Sequence, residues 1–218
     1  MKYALRLLSF FGLLLLIAGS ARADSFDVSL NTSSLSGTQA LVFVLTDGDG
    51  VADNSLTLNG FTFGAGSATG SADYLGSTGV SGDLTSGIAM NDSSLSFAIF
   101  TQDFNPGAAL SYVLTTTNNF NTSGLAPDGF EMLVCSTDLT ACYSDSPDGT
   151  LLNVALTGLP LSPSSFTTNG ASDQDLPAPV VTGAVNTPEP GSLVLLAVGL
   201  LGLLFLIHRR SQDGSAAV

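Results

Sequence analysis

From Asp24 to Ile207 the chain contains no lysine, no arginine and no histidine. Its five basic residues are Lys2, Arg6, Arg22, Arg209 and Arg210, its one histidine is His208, and it has no tryptophan. Each absence removes a class of function. Without lysine or arginine, this region cannot hold nucleic acid, phosphate groups or anionic polysaccharide through basic side chains. Schiff-base chemistry and guanidinium clamps are lost with them. Without histidine there is no Ser-His-Asp triad, no Cys-His pair and no histidine-ligated metal. The missing tryptophan thins the sugar-stacking surface expected of a glycosidase. A pair of carboxylates can still cleave a glycosidic bond when their environments split their pKa values. Here, however, Glu131 alternates outward in a strand pattern and most aspartates sit in turns. The expectation is a protein that is not an enzyme, with a carboxylate-only glycoside hydrolase as the remotest alternative.

Cysteine is scarce too. Cys135 and Cys142 are the only two, seven positions apart in VCSTDLTACY. In an oxidising compartment such a pair most simply forms a disulfide that staples a short loop. No histidine lies nearby to complete a zinc tetrahedron.

Long apolar runs are confined to the two ends, which explains a positive mean hydropathy of +0.41 beside a net charge of -13. At the N-terminus, Lys2 and Arg6 precede an apolar core of about a dozen residues, followed by Ala21-Arg22-Ala23. That order reads as a secretory signal peptide, residues 1–23, cleaved after Ala23 by the general secretory machinery to leave Asp24 first. An N-terminal membrane anchor is the alternative, but the run falls short of the roughly 18–20 apolar residues a stable span needs. Every acidic residue except Asp213 lies between Asp24 and His208, so the exported region is purely anionic and divalent cations are its natural counter-charge.

The region 24–185 is the size of one domain. Its apolar pattern has a period of two: Phe26/Val28/Leu30, Leu56/Leu58, Leu95/Phe97/Ile99, Leu110/Tyr112/Leu114, Phe130/Met132/Val134 and Leu152/Val154/Leu156. ALVFVLT, residues 40–46, is apolar on both faces and reads as a central strand. Asp47-Gly48-Asp49-Gly50, Asn59-Gly60, Asn105-Pro106-Gly107, Pro127-Asp128-Gly129 and Pro147-Asp148-Gly149 supply reversals. Together these predict an all-β fold, an antiparallel, jelly-roll-like β-sandwich with little helix. In SLTLNGFTFG the alternation slips at Asn59-Gly60, which means a bulge or a tight hairpin. Residues 64–87 read as a long loop carrying weak edge strands, and 159–190 as a Pro/Ser-rich linker overlapping the domain end.

The sharpest local constellation is TDGDGVADN, residues 46–54, with Asp47, Asp49 and Asp53. Alternating oxygen ligands on a glycine-rich turn can wrap Ca2+, which takes six to eight hard oxygens. The loop lacks the closing glutamate of an EF-hand and its third aspartate is out of step. Asp47, Asp49 and Asn54 therefore read equally well as turn formers. Asn31-Thr32-Ser33, Asn91-Asp92-Ser93 and Asn121-Thr122-Ser123 are glycosylation sequons that a Ser/Thr/Asn-rich chain produces by chance.

The C-terminal stretch reads TPEPGSLVLLAVGLLGLLFLIHRR. Leu193 to Ile207 is uncharged and about 22 Å long as a helix, short of a roughly 30 Å hydrocarbon core but able to span with local thinning. It predicts one transmembrane helix, with Arg209 and Arg210 stopping it on the cytoplasmic side and the acidic domain outside. A permanent tail anchor is the plain alternative. Prolines on either side of Glu189 keep the approach extended. Thr187-Pro188-Glu189-Pro190-Gly191, a short apolar helix and a terminal Arg209-Arg210 pair resemble the tripartite PEP-CTERM sorting signal of Gram-negative bacteria, over residues 187–210.

That resemblance implies recognition of Pro188, Glu189, Pro190 and Gly191 by an exosortase, with cleavage at or near them. It implies an inner-membrane intermediate and then release to the cell surface or extracellular matrix. A structural or adhesive role tied to exopolysaccharide, biofilm or floc formation follows from the same resemblance. The tail, residues 211–218, runs on past the arginines where many members stop. A calcium-dependent carbohydrate-binding module is the alternative reading of the domain.

Overall fold

Phe26, Val28 and Leu30 alternate with Ser25, Asp27 and Ser29, and strand β1 (Ala23–Asn31) sets the first three inward at 1% exposure while Asp27 and Ser29 face solvent. The same arithmetic builds the rest of a computed structural model that describes residues 23–92, 96–122, 124, 126–183, 199 and 202. The remaining strands are β2 (Gln39–Thr46), β3 (Ser55–Thr62), β4 (Ser67–Ala68), β5 (Val80–Asp83), β6 (Gly87–Asn91), β7 (Phe97–Asn105), β8 (Ala109–Thr117), β9 (Asp128–Cys135), β10 (Leu152–Leu156), β11 (Phe166–Thr168) and β12 (Val180–Thr182). Two single-turn 3-10 helices, Pro163–Ser165 and Ser172–Gln174, are the helical elements between Ala23 and Gly183 among the described residues.

All pairings are antiparallel, in two six-stranded sheets ordered β12-β1-β8-β3-β6-β5 and β11-β10-β9-β2-β7-β4. Most consecutive strands alternate between the sheets, so the chain closes a β-sandwich, the expected fold class. Phe43, fully buried on central strand β2, is the hub of the core. Its ring meets Tyr112 edge-on at 5.5 Å and stacks on Phe130 at 5.9 Å, with Phe61 and Phe100 each at 6.1 Å. Such aromatic pairs add about 0.5–1.5 kcal/mol each beyond the area they bury. Tyr112 also crosses between the sheets to donate its hydroxyl to Met132 Sδ at 3.2 Å. The strands left at the edges, β4, β5, β11 and β12, have two to four residues each, which limits edge-to-edge pairing with other chains.

Three local expectations are met in detail. Strand β2 is buried on both faces, with Ala40 at 1% and Val42 at 8% exposure on its outer side. At Asn59-Gly60 the register with β8 shifts within one continuous strand, so the slip is a bulge, and Gly60 takes φ +67° there. The Gly-rich stretch carries the edge strands β4 and β5.

Two expectations are corrected. On β7 the inward residues are Ala98, Phe100, Gln102 and Phe104, while Phe97 is 49% exposed. The sequence FAIF is apolar in both phases, and the choice is made by pairing with β2, where Phe100 lies opposite Phe43 and Ala98 opposite Leu45. The segment 159–183 is not a free linker. It brings β11, β12 and both 3-10 turns onto the sandwich and buries Leu161, Phe166, Ala171 and Leu176, with Phe166 edge-on to Phe26 at 4.8 Å. Its widely spaced apolar residues, each set among prolines and serines, hide that role from a pattern search. The rest of the expected linker, 184–190, lies outside the described residues.

Candidate functional site

Register brings three loops to one end of the sandwich. Thr46 pairs with Phe97 and Gly129, and Ser55 pairs with Asn91, so loop 47–54, the loop that Asp92 opens and Ser96 closes, and the described residues of loop 118–127 share that end. Loop 47–54 lies so close to loop 118–127 that a Cβ at Gly48 would collide with the carbonyls of Ala126 and Pro127. Only glycine fits there.

Asn54 ties the end together. Its backbone N–H donates to Asp92 Oδ2 (2.9 Å), and its amide donates to Asp128 Oδ2 (2.7 Å), Asp53 Oδ1 (3.0 Å) and the Asn119 carbonyl (3.0 Å). Its Oδ1 accepts from Asn119 N (2.8 Å) and Thr117 Oγ1 (3.2 Å). Asp128, fully buried at the start of β9, accepts on Oδ1 from Gly48 N (2.8 Å) and Asp49 N (3.3 Å). Asp49 accepts from Val51 N (2.9 Å) and Asn121 N (2.6 Å), and Asp47 from Gly50 N (2.6 Å). Every carboxylate named here therefore has a structural duty, as turn formers do.

The three aspartates of TDGDGVADN are divided between two groups. Asp47 and Asp49 join Asp128, whereas Asp53 joins Asp92 and the same Asp128, each triad offering oxygens within 4.8 Å of one another. Two oxygens bound to one Ca2+ at about 2.4 Å lie at most about 4.8 Å apart, so either spacing suits one ion. An all-oxygen donor set matches a hard cation and not zinc. Sequence reasoning missed Asp92 and Asp128. Asp128 stood in a Pro-Asp-Gly turn and Asp92 in a sequon, and only the strand register places both beside loop 47–54.

The crowding shows in the electrostatics. Burial above all pushes Asp92 up to about 6, against the lowering by the Asn54 N–H, and hydrogen bonding to and charge repulsion from Asp128 add smaller raising contributions. Asp53 is raised by burial first and then by the charges of Asp49, Asp128 and Asp47. No basic side chain stands between Asp24 and Ile207 to offset these effects.

The other expected site residues are scattered. Cys135 and Cys142 form the expected disulfide, at the opposite end of β9 from Asp128. Ala23 opens β1 opposite Thr117. Ala21, Pro188, Glu189, Pro190, Gly191, Arg209 and Arg210 lie outside the described residues. So does the expected span 193–207, apart from Gly199 and Gly202, which are helical. Among the described residues no helix is long and apolar enough to cross a membrane.

Residues 186–210 match the family model of the PEP-CTERM protein-sorting motif. The chain carries a PEP-CTERM sorting motif. It is thereby marked as an exported protein that an exosortase processes on its way to the cell surface. The match begins at Asn186, four residues after the end of strand β12 at Thr182, and takes in the Pro188-Glu189-Pro190 core, the apolar stretch and both arginines of the PEP-CTERM signal. No curated protein and no solved structure matches the chain.

Proposed function

We propose that the β-sandwich is the cargo of this sorting route and works as a non-enzymatic, structural or adhesive component of the cell surface or extracellular matrix, in contact with exopolysaccharide. The observation that carries the reading is the sorting motif at residues 186–210. In this reading the signal peptide directs export and the helix 193–207 holds the intermediate in the inner membrane. Arg209 and Arg210 stay on the cytoplasmic side, and exosortase acts at Pro188-Glu189-Pro190-Gly191.

The cargo's surface chemistry supports it. The outward positions of β1, β3 and β8 include Ser25, Ser29, Thr57, Asn59, Ser111 and Thr115, hydroxyl and amide groups suited to a hydrated polymer, around the exposed Asp27 and Val113. Catalysis is poorly served. The open recess of about 370 Å³ lined by Gly70, Ser71, Ala72, Tyr74, Gly82, Asp83 and Gln102 contains a single carboxylate, and the Tyr74 hydroxyl is already donated to the Gly82 carbonyl at 2.9 Å. Cells lacking this chain should lose aggregation or matrix cohesion, and re-expression of the wild-type chain should restore it while Glu189→Ala does not. Normal cohesion in the deletion strain contradicts the structural role.

A second reading, a calcium-dependent carbohydrate-binding module, is favoured by one observation, the pair of carboxylate triads that share Asp128. Here Asp47, Asp49 and Asp128, or Asp53, Asp92 and Asp128, hold Ca2+. Adding Ca2+ should raise the melting temperature; Asp47→Ala with Asp49→Ala should abolish a rise carried by the first triad, and Asp53→Ala one carried by the second. No shift with Ca2+ removes this reading and leaves the first intact.

A further inference from the structure

The chain reaches its sorting motif through a short edge strand. β12 pairs with β1 over three residues, Thr182 opposite Asp27, Val181 opposite Val28 and Val180 opposite Ser29, and among the described residues no other strand flanks it. Val180 is 57% exposed and Thr182 faces solvent, so the strand is anchored by Val181, half-buried against the core. Behind β12 the chain is held more firmly. Leu176 is 2% exposed and exchanges both backbone hydrogen bonds with Ala171, at 3.0 and 2.8 Å, and Pro179 is buried. Ahead of β12, Gly183 takes φ +65°, a left-handed conformation that turns the chain out of the strand.

Because β12 runs antiparallel to β1, the chain leaves the sandwich at the end where β1 begins. Ala23 lies opposite Thr117 there, and Leu56 opposite Thr116, so loop 47–54 and the described residues of loop 118–127 stand at the same end. Four residues, 184–187, separate Gly183 from Pro188, about 13 Å of extended chain. On the far side, Leu193 opens the apolar stretch two residues after Gly191. An enzyme that cuts a peptide grips it in extended form on both sides of the bond. So short a run leaves little spare chain between such a cleft and the folded loops.

We propose that β12 peels from β1 to deliver the sorting motif, and that this opening sets the rate of exosortase processing. The inference rests on the reading that exosortase acts at Pro188-Glu189-Pro190-Gly191. Hinging after Pro179 frees residues 180–183 and doubles the free chain ahead of Pro188 to eight residues, about 26 Å. The step gives up three ladder pairings and the Val181 contact, and openings of that size belong to the low-stability end of a fold. Leu176 and Pro179 remain as the fixed point, so the rest of the sandwich stays closed.

The test pins the strand in cells that contain their exosortase. Asp27→Cys with Thr182→Cys places two thiols directly opposite in an antiparallel ladder, within disulfide reach, and intact mass confirms the bond. In a pulse-chase experiment, conversion of the full-length to the shortened form should be about tenfold slower than in the wild type, because cleavage tracks the population of the open form. Asp27→Ser with Thr182→Ser, which changes the same side chains without a bond, should be processed at the wild-type rate. Inserting about six Gly/Ser residues after Gly183 of the pinned chain supplies slack without opening and should restore processing, which also shows that the pinned domain is exported and folded. Val181→Gly, which weakens the anchor, should speed conversion about threefold. A pinned chain processed as fast as the wild type, a serine pair as slow as the pinned chain, or a pinned chain that the insertion does not restore overturns the proposal and leaves the sorting reading in place. Absence of processing in the wild type overturns the sorting reading, and this proposal with it.

Discussion

Asn54 joins four segments of chain through one side chain and one peptide N–H, and this concentration makes it the most sensitive residue at the acidic end. Replacing it with alanine strips a donor from the buried Asp128 carboxylate and an acceptor from Asn119 N–H. Asn54→Ala should destabilise the fold by about 3 kcal/mol, as loss of a hydrogen bond to a buried charge does. A chemical denaturation curve measures it, and a loss within about 0.5 kcal/mol of zero contradicts the hub role.

The neighbouring Asp92 makes a prediction in pH. Its pKa in the folded protein, about 6, stands above its ordinary value of 3.8, so the folded state binds the proton more tightly than the unfolded state. The sign follows directly. Asp92 favours the folded state most at and below about pH 4, and that contribution is lost as pH rises through about 6, above which both states are ionised. Stability measured without divalent cations should fall across that window and then level. Asp92→Asn, which removes the titrating group, should flatten the fall, and an unchanged slope would show that another group causes it.

At the level of elements, the sequence was readable wherever one face of a strand is apolar and the other polar. β1, β8, β9 and β10 each bury the alternating set that their residues announce, and the doubly apolar 40–46 run became the central strand β2. Legibility failed for two physical reasons. In FAIF both phases are apolar, so the face of β7 is set by partners far away in sequence. In 159–183 burial rests on single residues such as Phe166 and Leu176, held by short-range turns and not by any period.

The acidic site failed in a third way. Its loop, 47–54, was evident from composition, but its completion by Asp92 and Asp128 depends on register between strands 38 to 80 positions apart. The disulfide, by contrast, was readable from spacing alone. It closes a short hairpin extension in which Ser136 N donates to the Ala141 carbonyl and Tyr143 N to the Val134 carbonyl, both at 2.8 Å. Replacing both cysteines with serine should cost about 2–3 kcal/mol, the chain-entropy value for so short a loop, with the sandwich still folded. Unchanged stability in denaturant would show that the backbone hydrogen bonds alone hold the hairpin.

For the whole molecule the decisive fact is the segregation of charge. All basic residues lie in the terminal segments, 1–22 and 209–210, and the domain between is anionic throughout. Such a body repels nucleic acid and other polyanions and stays soluble through its own charge. Association of such a body with an anionic membrane surface has to come from a dedicated segment, the role we propose for the stretch that carries the sorting motif at 186–210. The most direct test compares the mass and cellular location of this protein in cells with and without their exosortase. A shortened form, ending near Pro188-Glu189-Pro190 and found at the cell surface or in the medium, should appear only when the enzyme is present, with a full-length C-terminus in the membrane fraction when it is absent. The same full-length, membrane-bound species in both strains would contradict the account.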